Sequence, residues 1–145
     1  MSKQQSGFTL IELIAVLVIL GILAATAVPR FIDLSDEAQD AAVASIAGSL
    51  ESASALNHAV DIANEAGLTS DTFYDIGDCV DAERLLSKNL EAKYVITAGT
   101  TVGDKVSVTC TLGAFALDSG GAATGTALAT ADFAVIGAAG GVAVP

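Results

Sequence analysis

The sequence predicts an α+β fold: a long N-terminal helix, membrane-spanning in its first half and amphipathic in its second, packed on a small antiparallel sheet. Three observations carry this expectation. Residues 8–28 form an apolar run whose sole charge is Glu12. Residues 31–60 repeat apolar side chains at three- and four-residue spacing, the period of a half-buried helix. Residues 105–112, KVSVTCTL, alternate apolar and hydroxyl side chains, the period of a strand. A length of 145 residues allows one domain with an appended segment.

The apolar run comes first. About 20 apolar residues at 1.5 Å rise cover a hydrocarbon core of about 30 Å, so residues 8–28 are long enough to span a bilayer. Ahead of them stands the polar stretch MSKQQSG with one cation, Lys3. Positive-inside logic places that stretch in the cytoplasm and the rest of the chain outside. A secretory signal would be cut behind the run, near Ala25 or Ala27. The run exceeds the usual apolar core of such signals, about 7–15 residues. A carboxylate inside it costs about 2.5–3.5 kcal/mol on insertion scales, which marks Glu12 as a functional residue.

Beyond the run, Phe31, Leu34, Ala38, Ala41, Ala42, Ile46, Leu50, Ala53, Leu56 and Val60 follow a mostly three- and four-residue spacing, while Asp33, Asp36, Glu37, Asp40, Glu51 and Ser52 fall mostly elsewhere. The Ala-rich stripe permits close approach of a sheet. One helix is expected over residues 8–66, ended by Gly67, and such a helix would be roughly 85–90 Å long. Gly21 and Pro29 are its helix-weakening residues, costing about 1 and 3 kcal/mol relative to Ala. Pro29 also frees the carbonyl of Ala25; in an isolated subunit a simple kink is the expectation. His58, with no second His, reads as a packed or surface residue.

Residues 71–81 read as an Asp-rich loop, 81–90 as a short helix with Asp81 near its start, and 93–97 as a strand. Residues 99–104 are turn-like. In the strand at 105–112, Val106, Val108, Cys110 and Leu112 share a face; residues 114–117 continue it past Gly113. Residues 118–121 make the next turn. The segment 126–130 is ambiguous, 132–136 is a strand, and the Gly-rich tail from residue 137 reads as irregular.

Composition excludes several functions. There are 17 acidic and 6 basic residues, a net charge of −11, with the basic residues scattered. Nucleic-acid binding by a basic surface is therefore not expected. Two Cys and one His leave little for a zinc site, and metal ligands, cofactors and catalytic residues are not expected. Asp71, Asp75, Asp78 and Asp81 are hard oxygen donors of the kind calcium takes, but there is no DxDxDG pattern, and a solvated acidic loop is the reading. No phosphate-binding loop, nucleophile–base pair or acid/base carboxylate pair emerges.

Gly7-Phe8-Thr9-Leu10-Ile11-Glu12, followed by the apolar helix, resembles the N-terminus of type IV prepilins and related pseudopilins. The resemblance continues at Gly21 and Pro29. The stretch PRFIDLSDEA at 29–38 is similar to pilins of the mannose-sensitive haemagglutinin type. Close likeness covers roughly residues 7–60. It implies a cleaved leader at 1–7, a transmembrane and filament-core helix at 8–28, and a globular head at 29–145. It implies cleavage between Gly7 and Phe8 by a prepilin peptidase, which then methylates the amine of Phe8. In filaments of such pilins the stretch between the equivalents of Gly21 and Pro29 loses helical order. The implied function is that of a structural subunit of a type IV pilus, used in surface attachment, motility or DNA uptake. The subunit is stored in the inner membrane, then assembled by inner-membrane machinery into a helical homopolymer on the cell surface.

Two alternatives stand beside it: a pseudopilin of a type II secretion system, and a monomeric membrane-anchored binding protein.

The residues add their own reading. Glu12 lies one helical turn from the amine that cleavage would expose, and a carboxylate in an apolar bundle needs a counter-charge, for which the amine of an adjacent subunit is suited. The alternative is that Glu12 snorkels to the membrane interface. Cys79 and Cys110 both fall in the extracytoplasmic part, where oxidising conditions allow a disulfide; two separate buried thiols are the other possibility.

Overall fold

A computed structural model describes residues 8–97 and 99–142, with side chains described outside 28–33. The element order is α1 (Leu10–Glu65), a 3₁₀ helix η1 (Cys79–Leu85), β1 (Tyr94–Ile96), β2 (Ser107–Leu117) and β3 (Ala123–Ile136). The chain divides into two compact units with the boundary inside α1, between Glu37 and Ala38.

The first unit is the N-terminal part of α1. Its apolar side chains are exposed throughout, from Leu10 to Leu23. Residues Leu10–Ala27 are long and apolar enough to cross a membrane. The helix is continuous through positions 21 and 29.

In the second unit α1 presents Val43, Ala47 and Leu50 to the sheet, all three buried. Leu112, Phe133 and Val135 meet them from β2 and β3. The small Ala47 between Val43 and Leu50 lets the helix lie close. The buried face of α1, Val43, Ala47, Leu50, Ser54, Asn57 and Asp61, is however not the stripe expected from the sequence. Of that stripe's described residues Leu50 alone is buried, and Leu34 and Leu56 are 65 % and 70 % exposed. The reason is that the polar Ser54 and Asn57 find backbone partners in Ile136 and Tyr74 on the packed side. α1 ends at Glu65 rather than Ala66. Gly67 has φ +69; its N–H donates to the Asn64 carbonyl (2.9 Å), and the Leu68 N–H to the Ala63 carbonyl (2.9 Å). This paired closure of the last turn uses the left-handed conformation that glycine adopts at little cost.

The three strands form one antiparallel sheet in the order β1-β2-β3, with Ile96 opposite Leu112 and Cys110 opposite Phe133, and an irregularity in register between Ala114 and Ala116. β3 is an edge strand, and part of its outer edge is covered. The Ala134 N–H donates to Glu51 Oε2 (3.2 Å) and the Ile136 N–H to Ser54 Oγ (2.8 Å). Two side chains of α1 thus satisfy edge donors that would otherwise be open to pairing.

Other sequence expectations need correction as well. The short helix is Cys79–Leu85, not 81–90, because Asp78 caps its start, accepting the Val80 N–H (3.2 Å), while Asp81 accepts back from the Asp78 N–H (2.9 Å). Its far end is closed when Leu86 turns extended, and the Leu90 N–H goes to Glu83 Oε1 (3.3 Å). Val106 lies before β2 and is half exposed rather than sharing the buried face of Cys110 and Leu112. The ambiguous segment 126–130 belongs to β3.

Finally, the tail is not free. Ala138 bridges Ile76 and Val142 bridges Tyr74, and the Gly141 N–H donates to Asp75 Oδ1 (2.7 Å). A Cβ on Gly141 would lie 2.7 Å from the Phe73 carbonyl oxygen, so only glycine permits this approach.

Candidate functional site

The site that the sequence singles out is the start of α1. Gly7 lies outside the described residues. Phe8 is 90 % exposed, as are the apolar side chains that follow it. Thr9 stands just outside the helix and Glu12 is in its first turn. The two are locked together. The Thr9 N–H and the Thr9 Oγ1–H both donate to Glu12 Oε2, at 2.8 and 2.7 Å. The Glu12 N–H points back at Thr9 Oγ1 (3.4 Å). This is a reciprocal capping box: a Thr at the N-cap and a Glu three residues on each satisfy a backbone donor of the other. The sequence reading missed Thr9. The signal was there, in Thr9-Leu-Ile-Glu12 ahead of an apolar run.

The geometry has a chemical consequence. In the single chain one oxygen of Glu12 is engaged by Thr9, and Oε1 takes no hydrogen bond among the described residues. The carboxylate is therefore partly satisfied before any second chain arrives, with one acceptor edge available for a cation. Both Phe8 and Glu12 lie on exposed surface at one end of the helix.

Gly21 is not required by packing. A Cβ placed there meets nothing within 4 Å, so its helix-weakening property has no compensating contact in the single chain. Pro29 lies within α1.

The second expected pair is present: Cys79 and Cys110 are disulfide-bonded, with their Cα atoms 5.8 Å apart. Both are buried. The bond ties η1 to the central strand β2. The Asp-rich loop is occupied with its own backbone and hydroxyls: Asp71 accepts from the Thr69 hydroxyl (2.7 Å), Asp75 from Gly141, and Asp78 and Asp81 from the start of η1. His58 is largely buried; its Nδ1 lies 3.8 Å from Oδ2 of the buried Asp61.

Comparison with known proteins bears on the same end of the chain. Residues 2–28 match the family model described as the prokaryotic N-terminal methylation motif. This chain is similar to type IV pilins over part of its length. It is 58 % identical over 50 residues to the type IV narrow pilus major component PilA5 of Thermus thermophilus, covering 34 % of this chain and 43 % of that protein. To a fimbrial protein of Pseudomonas aeruginosa it is 43 % identical over 77 residues, 52 % of this chain and 49 % of the relative. To the type II secretion system core protein G of Pseudomonas aeruginosa it is 60 % identical over 37 residues, 26 % of each chain. The aligned part spans less than half the length of each of these relatives. No solved structure matches significantly. The family-model match lies on the N-terminal part, where α1 and its capping box begin.

Proposed function

We propose that this chain is a structural subunit of a bacterial type IV pilus. One observation carries the reading: the apolar span Leu10–Ala27 of α1, exposed along its whole length, begins at a methylation motif and bears one carboxylate in its first turn. A helix with no apolar face buried in its own fold needs either lipid or other helices around it. A pilin meets both needs in succession, first as a membrane-anchored store and then as part of a helical bundle on the cell surface. Its role is structural rather than catalytic.

In this reading a prepilin peptidase cleaves between Gly7 and Phe8 and methylates the new amine of Phe8. Glu12 then pairs through its free edge with the amine of an adjacent subunit. Apolar contact alone does not fix the axial register of such helices, because Leu, Ile, Val and Ala recur along their length. A buried charge pair does, since every register that leaves it unpaired is penalised. Inner-membrane assembly machinery supplies the transfer step. Between Gly21 and Pro29 the helix loses order on assembly, lengthening the subunit.

The likeness to a type II secretion core protein supports a second reading, a pseudopilin, which shares the N-terminus. Two measurements separate these possibilities. Mass spectrometry of the mature chain is expected to find methylated Phe8 at the N-terminus; an N-terminus at Met1, or behind Ala25 or Ala27, overturns both readings. Shearing of intact cells is expected to release the chain in sedimentable filaments. Retention in the periplasm favours the pseudopilin, and a chain that remains a monomer in the membrane favours an anchored binding protein.

A further inference from the structure

On a chain of net charge −11, carboxylates without a counterpart on their own surface are informative. Most are already engaged: Glu51 with the edge of β3, Glu65 with Lys105, Asp118 with its own turn and Asp132 with Thr111. Among the described side chains, the exposed carboxylates with no hydrogen-bond or ion-pair counterpart are Asp36, Glu37 and Asp40, close together on α1. The cations give a matching result. Lys93 pairs with Glu91, Lys105 with Glu65 and Asp104, and Arg84 is engaged. Lys88 is exposed and, among the described residues, has no counterpart.

Lys88 stands on the wall of a trough. Its floor is the exposed face of α1 at Gly48, Ser49 and Ser52, and its wall is the segment after η1, at Leu86 and Ser87; two adjoining hollows there measure about 340 and 540 Å³. The floor is small and chemically quiet. Ser49 donates its hydroxyl to the Ser45 carbonyl (3.0 Å) and Ser52 to the Gly48 carbonyl (2.8 Å), so neither seeks an outside acceptor. A helix backbone can approach such a surface closely.

We propose that this trough receives α1 of a second copy of this chain, at Leu34, Ala38 and Ala41, with Glu37 of that copy paired to Lys88. Leu34, Ala38 and Ala41 fall on one helical face and Glu37 borders it. Leu34 is 65 % exposed and seeks apolar cover. Charge complementarity selects the occupant: among the described residues the uncompensated anions lie on the same chain as the uncompensated cation, on a different stretch of surface. Where the two patches meet head to tail the contact is heterologous, and it extends into an open helical polymer when the rotation between copies does not close a ring. The contact rests on the pilus reading and names one of its subunit interfaces.

The test uses the full chain in cells. One chain carries Lys88→Cys and a tagged copy carries Glu37→Cys; the native cysteines are bonded to each other, so only the new thiols react. A short bismaleimide is expected to give the mixed dimer in sheared filaments and not in detergent-dispersed subunits. Lys88→Glu is expected to lower filament yield severalfold, and Glu37→Lys in the same chain to restore it. Filaments that give no mixed dimer and tolerate Lys88→Glu overturn this contact and leave the pilus reading intact. Absence of the unmodified chain from sheared material overturns the pilus reading and the contact with it.

Discussion

Glu12 is held by Thr9 through two hydrogen bonds to one oxygen, which leaves the other edge for an incoming amine. Glu12→Ala removes both the cap and the proposed counter-charge. A lost N-terminal cap costs about 1 kcal/mol of helix stability, too little to expel an apolar span from a membrane. Glu12→Ala is therefore expected to leave insertion and leader cleavage intact and to stop filament growth. Fractionation into membrane and sheared pools checks this, and normal filament yield from processed subunit would show that the carboxylate does not set the register. Asp118 offers a pH test in the head. It accepts the N–H groups of Ala122 and Gly120 at 2.9 and 2.8 Å, and these bonds hold its carboxyl below the ordinary aspartate range. The folded turn therefore prefers the ionised form. Its contribution to stability is present above the ordinary aspartate range and fades as pH falls through the lowered folded value. Relative to the intrinsic exchange rate at each pH, protection of the Gly120 and Ala122 amides should fall on acidification through that window, and Asp118→Ala should abolish this acid dependence. A carboxyl titrating at the ordinary position would sink the assignment.

Element by element, the head is tied together by polar clamps as well as by its apolar core. Asn57 of α1 faces the loop before η1 and makes two bonds to one residue: its Nδ2 donates to the Tyr74 carbonyl (2.9 Å), and its Oδ1 accepts the Tyr74 N–H (2.8 Å). Asn57→Leu leaves both backbone groups unsatisfied at a largely buried position. The expected loss is about 2–4 kcal/mol, at about 1–2 for each orphaned group; urea unfolding of the detergent-dispersed subunit reads it, and an unchanged midpoint would contradict the clamp. The disulfide joins η1 to β2 across 31 positions. Chain-entropy reasoning gives about 3–4 kcal/mol for a loop of that size. Cys110→Ser is expected to lower stability by that order and to reduce the amount of intact subunit exported. Thiol labelling of denatured, unreduced protein gives a direct check, since two reactive thiols would mean that the bridge is not formed.

At the scale of the whole molecule, charge governs how copies approach. Removal of residues 1–7 takes away Lys3 and no anion, which moves the formal net charge from −11 to −12. Subunits carrying this charge repel one another at long range, and salt screens that repulsion over about 8–10 Å at physiological strength. If short-range pairs such as Lys88 with Glu37 set the contact, raising salt from low values should first speed association of purified subunits and then weaken the assembled contact. Light scattering across a salt series follows both limbs. A rate that falls from the lowest salt upward would show that attraction, not repulsion, dominates the encounter.

Much of this was legible in the chain because its strongest signals are local. An unbroken apolar run, a hexapeptide ahead of it and a period-two strand need no knowledge of neighbours, so α1, its membrane character and β2 follow from the sequence. The packed face of α1 was not legible in the same way: the apolar stripe through Leu34, Ala38 and Leu56 stays exposed, while Val43, Ala47 and Leu50 are buried together with the polar Ser54, Asn57 and Asp61. What escaped were features made by distant parts meeting. The tail reads as irregular because Gly and Ala carry no pattern, yet it is ordered by backbone pairing with residues 73–76, from more than 60 positions away. The helix placed at 81–90 starts earlier and stops sooner, because the caps at Asp78 and Asp81 fix its start and the bond from Leu90 to Glu83 closes its end. Nothing in the local sequence shows that Glu51 and Ser54 reach across to the edge of β3. Local periodicity and spacing determine which elements form and which one is left apolar and exposed. The tertiary structure alone decides which carboxylates reach donors far along the chain, as Glu51 reaches Ala134 and Asp75 reaches Gly141, because a solvated acid and such a clamping one look the same until the fold has brought a distant N–H within reach.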